Sequence, residues 1–211
     1  MKLSTEVTLG VNEVANAVVG INKSAKKNGH KMPVILLLGS TGIGKTTITE
    51  QIAESLKLSH VLLDVPNMDL ADAGIPMPNG DGTVTYQPNK TMGLHELTPK
   101  VFVLDEFSKG NPMQQTMAHP LLAETSKRFG SIPVHDESVI ILTGNRTAEG
   151  LGDKLKGHTL NRIVTIQVRN STADEWLENY AIPNNVHPLM MAWVKRTPQV
   201  MEFYGDLENP E

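Results

Sequence analysis

The sequence predicts an α/β fold whose core is a mostly parallel, five-stranded sheet flanked by helices. Two observations indicate this class. Five short apolar runs, bounded by Gly, Pro or polar residues, have the length and composition of strands buried on both faces. Helical or loop segments separate the runs, which is the alternation expected of parallel strands. The predicted strands are residues 34–38, 61–65, 101–104, 139–142 and 163–168.

The first elements follow one another closely. Residues 11–27 carry apolar side chains at helical spacing, and two lysines and a glycine within 26–29 end this helix. The strand 34–38 is followed by a Gly-rich turn and by a helix predicted over 45–57. The fifth run, 163–168, alternates with polar residues, so we expect it nearer an edge of the sheet.

A long segment between the second and third strands departs from this alternation. Residues 66–100 are rich in Gly, Pro and Asn, and the sequence 79–82 followed by Val84 and Tyr86 predicts a small hairpin. A loop of this length in a compact domain is either functional or disordered.

The C-terminal part contains only helical patterns. Ser171 and Thr172 offer an N-cap, an apolar stripe covers 176–181, and a second helix is predicted over 188–196. We therefore predict two domains. The α/β core spans 1–170, and a partial helical lid spans 171–211.

Composition excludes several classes of site. The 211 residues include no cysteine, so a disulfide, a thiolate nucleophile and a zinc–thiolate centre are all excluded. The formal net charge of −4 argues against bulk electrostatic binding of nucleic acid. No apolar run approaches the ~20 residues that span a bilayer, and residues 1–6 lack the apolar region of a secretory signal. We expect a cytoplasmic protein without membrane contact.

The strongest motif follows the first strand. Residues 39–46 fit the pattern G-x-x-x-x-G-K-[ST] between a predicted strand and a predicted helix, the context in which this P-loop binds phosphate. Its glycines let backbone N–H groups surround phosphate oxygens, and the following helix adds the positive end of its dipole. Lys45 would reach the β- and γ-phosphates of a nucleotide, and the Thr46 hydroxyl would ligate Mg²⁺. The alternative is a chance Gly-rich turn. The predicted nucleotide-binding residues are Gly39, Ser40, Thr41, Gly42, Ile43, Gly44, Lys45, Thr46 and Thr47.

A second motif is the strand 101–104 that ends in Asp105 and Glu106. Asp105 would hold the Mg²⁺ shell, and Glu106 would orient and polarise an attacking water, because phosphoryl transfer depends mainly on positioning and electrostatics. A solvated acidic pair is the alternative, which the neighbouring P-loop disfavours. The second carboxylate favours water as the acceptor.

Two polar candidates follow later strands. Asn145 comes after the strand 139–142, at the sheet end where ligands of open α/β sheets bind, and could contact the γ-phosphate or the attacking water; an Asn that caps the next turn is an equal alternative. Arg162 precedes the last strand and could act as an arginine finger across a subunit interface, although an ordinary surface arginine is the simpler interpretation. Its rivals are Arg128, Arg146 and Arg169.

In this order, these segments resemble AAA+ ATPases, and more narrowly the MoxR branch, which includes phage-encoded members. The resemblance covers nearly the whole chain. The matching segments are GSTGIGKT at 39–46, VFVLDEFSKGNPMQQTMAHPLLAE at 101–124, the sensor 1 segment TGNRT at 143–147, the finger segment LNRIV at 160–164, and the start of the lid at 176–204.

The resemblance implies ATP hydrolysis with Mg²⁺ at the subunit interfaces of a ring, usually a hexamer, that remodels or assembles other proteins. MoxR members often work with a partner that bears a von Willebrand factor A domain. A phage-encoded member would act in the host cytoplasm. By position, the segment 66–87 would contact a substrate or face a pore, although an insertion without function is an equal alternative. Its candidate residues are Asp69, Leu70, Ile75, Met77 and Tyr86.

Two departures from the family pattern are visible. Ile163 stands where the family's finger segment has an aromatic residue. The family's second sensor arginine lies further along the lid, and Arg196 aligns better with an ordinary lid-helix arginine. We therefore expect either a truncated lid or a protein without this sensor, with nucleotide binding intact.

Two other functions stay open. A small P-loop kinase of nucleotides or metabolites suits the length of the chain, but the paired carboxylates and the lack of an Arg-rich lid disfavour it. A helicase loader that uses ATP as a switch on DNA is disfavoured by the net charge and by the lack of an aromatic and basic stripe.

Overall fold

The computed structural model describes residues 7–145 and 163–201, and these form a six-stranded parallel sheet with helices packed on both faces. The strands are β1 (Val7–Leu9), β2 (Val34–Leu38), β3 (Ser59–Asp64), β4 (Ile75–Pro78), β5 (Val84–Gln87), β6 (Lys100–Asp105), β7 (Arg128–Phe129), β8 (Ile132–Pro133), β9 (Val139–Gly144) and β10 (Ile163–Val168). The helices are α1 (Val11–Lys27), α2 (Lys45–Leu56), α3 (Pro112–Ala118), α4 (Ala173–Trp176) and α5 (Pro188–Arg196).

The central sheet has the strand order β1-β10-β2-β9-β6-β3, and each neighbouring pair is parallel. All five predicted strands lie in it, which confirms the predicted α/β class. The predicted number of five strands is wrong, because β1 pairs with β10 through contacts such as Val7 with Ile166. The strand β10 is second from one edge of the sheet, which confirms the prediction that it lies nearer an edge. A three-residue strand with a half-exposed valine has no apolar run of its own, so the sequence pattern could not reveal it.

Alternate side chains of β2 pack into two separate cores. Val34 and Leu36 join the cluster under α3, whereas Ile35 and Leu37 join the cluster under α1 and α2. Burial on both faces explains why β2 reads as an uninterrupted apolar run. The sheet is thus covered on both faces, and the carboxyl ends of β2, β9 and β6 lie side by side at the same end of the sheet.

The predicted hairpin is present between β3 and β6. The strands β4 and β5 pair antiparallel, and the Asn79 N–H donates to the carbonyl of Thr83 across the turn. All residues of both strands are exposed. A second, shorter hairpin, formed by β7 and β8, was not predicted.

The described chain after β10 is helical, as predicted. Thr172 caps α4, since its hydroxyl accepts the N–H of Glu175 and its own N–H donates to the Glu175 carboxylate. A π-helical turn, Leu177–Ala181, continues α4, and α5 follows. The division into a core at 1–170 and a lid at 171–211 stays a prediction. Among the described helices, none combines the length and apolarity that crossing a bilayer requires.

Candidate functional site

The loop between β2 and α2 has the backbone of a phosphate-binding turn. Gly42 and Gly44 adopt φ angles of 80° and 88°, in the left-handed region that a side chain disfavours. Gly39 is required for a different reason, because a Cβ there would lie 2.9 Å from the carbonyl oxygen of Val168 on β10. The three glycines of the motif therefore set the path of the loop into the N-terminus of α2.

The side chain of Lys45 spans this loop. Its Nζ donates to the carbonyl oxygens of Gly39 at 2.8 Å and Ser40 at 2.9 Å, and to Oδ1 of Asn145 at 3.4 Å. The structure thus brings together two predicted site residues that lie 100 positions apart in the sequence. The ammonium lies inside the loop, where phosphate oxygens could replace the carbonyl contacts.

The paired carboxylates at the end of β6 are organised by the neighbouring strand β9. The Thr143 hydroxyl donates a short hydrogen bond to Oδ1 of Asp105 and accepts the backbone N–H of Glu106 at 3.2 Å. Thr143 is 1% exposed. Thr143 was not among the predicted site residues. The sequence indicated only that a polar side chain ends the apolar strand, just before the glycine of the TGN segment.

The side chain of Glu106 is held by an ion pair. Its backbone has a left-handed φ of 50°, and its Oε1 lies 2.5 Å from Nζ of Lys109, one turn further along. Phe107, 1% exposed, anchors the turn between them. Both partners of the pair are well exposed, so the pair is a weak restraint of about 0–1 kcal/mol that a bound substrate or water could displace.

A cleft of about 420 Å³ opens beside the loop. It lies between residues 10–13 at the start of α1, residues 42–44 of the loop, and α4. Trp176 lines it, with its ring centroid 5.9 Å from that of Tyr180. The cleft therefore has an aromatic wall and opens directly onto the loop between β2 and α2, as the base and sugar would require of a nucleotide whose phosphates lay in that loop.

The residues at this site fit a magnesium-bound nucleoside triphosphate. The loop supplies the Lys45 ammonium, backbone N–H groups and the N-terminus of a 12-residue helix, all of which favour anionic oxygens. Thr46, in the first turn of that helix, and Asp105 supply the oxygen ligands that Mg²⁺ prefers. Thr47, on the same turn, borders the cleft.

The predicted arginine candidates have different outcomes. Arg162 and Arg146 lie outside the described residues. Arg128 is exposed on the short strand β7. Arg169 is held within the chain by two 2.7 Å contacts with the Glu175 carboxylate, so it is engaged in cis.

The predicted substrate-contacting residues lie on the hairpin and the turn before it. Ile75, Met77 and Tyr86 are exposed on β4 and β5. Asp69 instead caps a 3-10 turn, since its Oδ1 accepts the N–H of Ala71 at 2.5 Å. Leu70 begins that turn.

Comparisons with known proteins identify the fold. Residues 35–168 match the profile of the ATPase family associated with various cellular activities (AAA). A structure of the RuvB P216G mutant from Thermotoga maritima is 19% identical with a TM-score of 0.53, over 84% of this chain and 52% of that one. A closed-state cryo-EM reconstruction of Hsp104 with ATPγS and FITC casein is 19% identical with a TM-score of 0.57, over 82% of this chain and 35% of that one.

At these identities the two structures establish the fold alone. The present chain spans about half of the RuvB chain, 52%, and about a third of the Hsp104 chain, 35%. A search of curated protein sequences finds no significant match.

Proposed function

The chain belongs to the AAA family of ATPases, and we propose that it binds ATP with Mg²⁺ and hydrolyses it to ADP and phosphate. The observation that carries this proposal is the convergence of Lys45, Asn145, Thr143 and Asp105 at the carboxyl ends of three adjacent strands. Open α/β sheets bind their ligands at this edge. The neighbouring cleft supplies space for the nucleoside.

Each side chain then has a distinct role. Lys45 would bind the β- and γ-phosphates, and Thr46 and Asp105 would hold a magnesium ion, which would neutralise charge on the phosphates. Glu106 orients the attacking water and accepts its proton. Asn145, which already contacts the Lys45 ammonium, positions the γ-phosphate or the water.

We further propose that the chain is MoxR-like and assembles into a ring, with six subunits the expected number. Arg162 would contact the γ-phosphate bound by the neighbouring subunit, and ATP hydrolysis would drive remodelling or assembly of a protein partner. A protein with a von Willebrand factor A domain is the partner that the resemblance suggests. The proposed core at 1–170 would carry the nucleotide site, and the proposed lid at 171–211 would close over it.

The test is the variant Glu106→Gln, which keeps the shape of the side chain and removes its basicity. We expect nucleotide binding within about threefold of wild type and phosphate release at least ~100-fold slower. Glu54→Gln is the matched control, because Glu54 is an exposed carboxylate on α2 and should leave both unchanged. Phosphate release by Glu106→Gln at the wild-type rate would show that the base is assigned wrongly.

Subunit mixing tests Arg162. Arg162→Ala and Glu106→Gln should each be inactive alone, and mixing them should recover some activity because one interface then has both a finger and a base. No recovery at any ratio contradicts a role in trans.

Light scattering with and without ATP measures assembly, and a monomer under both conditions contradicts the ring.

Two enzymatic measurements distinguish the alternative functions, a small kinase and a switch that acts on DNA. ATP-dependent phosphorylation of a nucleoside or nucleoside monophosphate would identify a kinase instead. Strong stimulation of phosphate release by single-stranded DNA would identify a DNA-acting switch. We expect neither.

A further inference from the structure

Three segments of the chain meet at the side chain of Arg169, the first residue after β10. Its backbone N–H donates to the carbonyl of Leu9 at 3.0 Å, which extends the pairing of β1 with β10. Its Nη1 and Nη2 each lie 2.7 Å from a different oxygen of the Glu175 carboxylate on α4. A two-pronged contact of this kind fixes the relative orientation of the two groups as well as their distance.

The Glu175 carboxylate accepts hydrogen bonds from a second donor as well as from Arg169. Its Oε2 also accepts the backbone N–H of Thr172 at 2.9 Å, which ties the carboxylate to the start of its own helix. The hydrogen bonds from Arg169, followed by the one from Thr172, lower the pKa of Glu175 to about 2. The pair therefore stays fully charged at neutral pH.

The guanidinium also faces the N-terminal end of α1. Its Nη2 lies 3.9 Å from Oε2 of Glu13, and that oxygen accepts the backbone N–H of Gly10 at 2.7 Å. A Cβ on Gly10 would lie 2.8 Å from the same Nη2, so a side chain at residue 10 would require the guanidinium to shift. Arg169 thus joins the core strand, α1 and α4.

Three residues next to the Arg169 guanidinium border the cleft beside the loop between β2 and α2. Gly10, Glu13 and Glu175 line it, and so does Trp176, the residue after Glu175. Without the two-pronged contact between Arg169 and Glu175, α4 would lose this connection to the end of β10.

We propose that Arg169 is a positioning residue for the nucleotide. Its contacts with Glu175 and Glu13, called the clamp, hold α4 and Trp176 beside the cleft and thereby set the affinity for nucleotide. This inference rests on the proposed function, because it takes the cleft as the nucleoside site. Arg169 touches neither phosphate nor base in this account, and it acts through the two carboxylates.

The first measurement needs no nucleotide. The chain has two tryptophans, so Trp193→Phe, which replaces an exposed residue of α5, leaves Trp176 as the only fluorophore of that kind. In this background we expect Arg169→Met to increase quenching of Trp176 by acrylamide, a neutral quencher that does not respond to the change in charge. Unchanged quenching would overturn the clamp.

The second measurement is the Kd for a fluorescent ATP analogue. We expect Arg169→Met and Glu175→Gln each to raise it about two- to fivefold, the range expected for a partly exposed ion pair. Because the two residues act as a unit, the double variant should bind no more weakly than Arg169→Met alone. Arg169→Lys keeps the charge without the fork and should fall between Arg169→Met and wild type.

Two further variants complete the design. Gly10→Ala should raise the Kd in the same direction but by less than Arg169→Met, since its Cβ shifts the flexible end of Arg169 without removing a charged group. Glu178→Gln, an exposed carboxylate one turn from the clamp, is the control and should match wild type.

The outcomes separate the two proposals. If the wild-type chain binds no nucleotide, the proposed function fails, and the acrylamide measurement still decides whether the clamp exists. If the wild type binds nucleotide, two outcomes would refute the role of Arg169 in nucleotide affinity. In one, the increases in Kd caused by Arg169→Met and by Glu175→Gln multiply in the double variant. In the other, quenching of Trp176 rises without a change in Kd.

Discussion

The substitution Thr143→Val tests whether β9 organises the two carboxylates of β6. Valine has nearly the shape of threonine, so the variant removes the hydroxyl without creating a cavity. Two hydrogen bonds are lost: the one donated to the Asp105 carboxylate and the one accepted from the Glu106 N–H. The first is charge-assisted and contributes about 1.5–3 kcal/mol, and the second leaves a backbone N–H without this partner at a cost of about 1 kcal/mol.

The expected loss of unfolding free energy is therefore about 2.5–4 kcal/mol, which lowers the Tm of a chain of this size by roughly 5–16 °C. Urea unfolding at neutral pH measures the first quantity and a thermal scan the second. We also expect the Mg²⁺ concentration for half-maximal phosphate release to rise, because Asp105 is no longer oriented by a donor.

Thr143→Ser is the matched control, since it keeps the hydroxyl and loses only a buried methyl group, at about 1 kcal/mol. If valine destabilises the chain no more than serine does, the hydroxyl contributes far less than its two hydrogen bonds require, and the role assigned to it is refuted. If valine destabilises the chain but the Mg²⁺ requirement is unchanged, the contact is structural and does not serve the metal site.

Three further predictions follow from single contacts. Gly39→Ala places a Cβ 2.9 Å from a carbonyl oxygen of β10, so we expect a loss of about 2 kcal/mol or more in unfolding free energy together with weaker ATP binding; wild-type values for both would contradict this close approach. Lys109→Met frees Oε1 of Glu106 to accept from water, and we expect phosphate release at saturating ATP to rise about twofold or more, whereas a fall would show that the lysine assists the base. Because the hydrogen bonds from Arg169 lower the pKa of Glu175 to about 2, from an ordinary 4.5, the stabilisation by Glu175 is complete above pH 4.5 and is lost as the pH falls towards 2. Urea unfolding at about pH 6 and about pH 3 should therefore show a smaller acid-induced loss of stability in Glu175→Gln than in wild type, and equal losses would contradict the ion pair.

The sequence predicted those elements whose signal is local. The strand Val34–Leu38 and the helix Val11–Lys27 have the predicted bounds, because burial on two faces and a single apolar stripe leave unmistakable patterns. The strand Val7–Leu9 was missed because its three residues are held by β10, which lies far away in the sequence. The strand forms through this tertiary contact, so the local sequence has no pattern that predicts it.

The candidate site shows the same division. The pattern of the P-loop placed Lys45 correctly between a strand and a helix. The role of Thr143 depends on β9 lying next to β6, and the order of strands in a sheet cannot be read from a run of apolar residues. Arg169 looked like one of several finger candidates, and only the folding of α4 back onto the end of β10 reveals its partner Glu175.

Nucleotide binding at residues 39–46 is tested most directly by a calorimetric titration of ATP with Mg²⁺ into the wild type and into Lys45→Met. In the structure the Lys45 ammonium contacts two loop carbonyls and Asn145, and bound phosphate oxygens would replace the carbonyls. We predict saturable binding of one nucleotide per chain to the wild type, and affinity at least ~30-fold lower in Lys45→Met, since a charge-assisted contact with phosphate is lost. Equal affinity in the two proteins would contradict the assignment of residues 39–46 as the phosphate site.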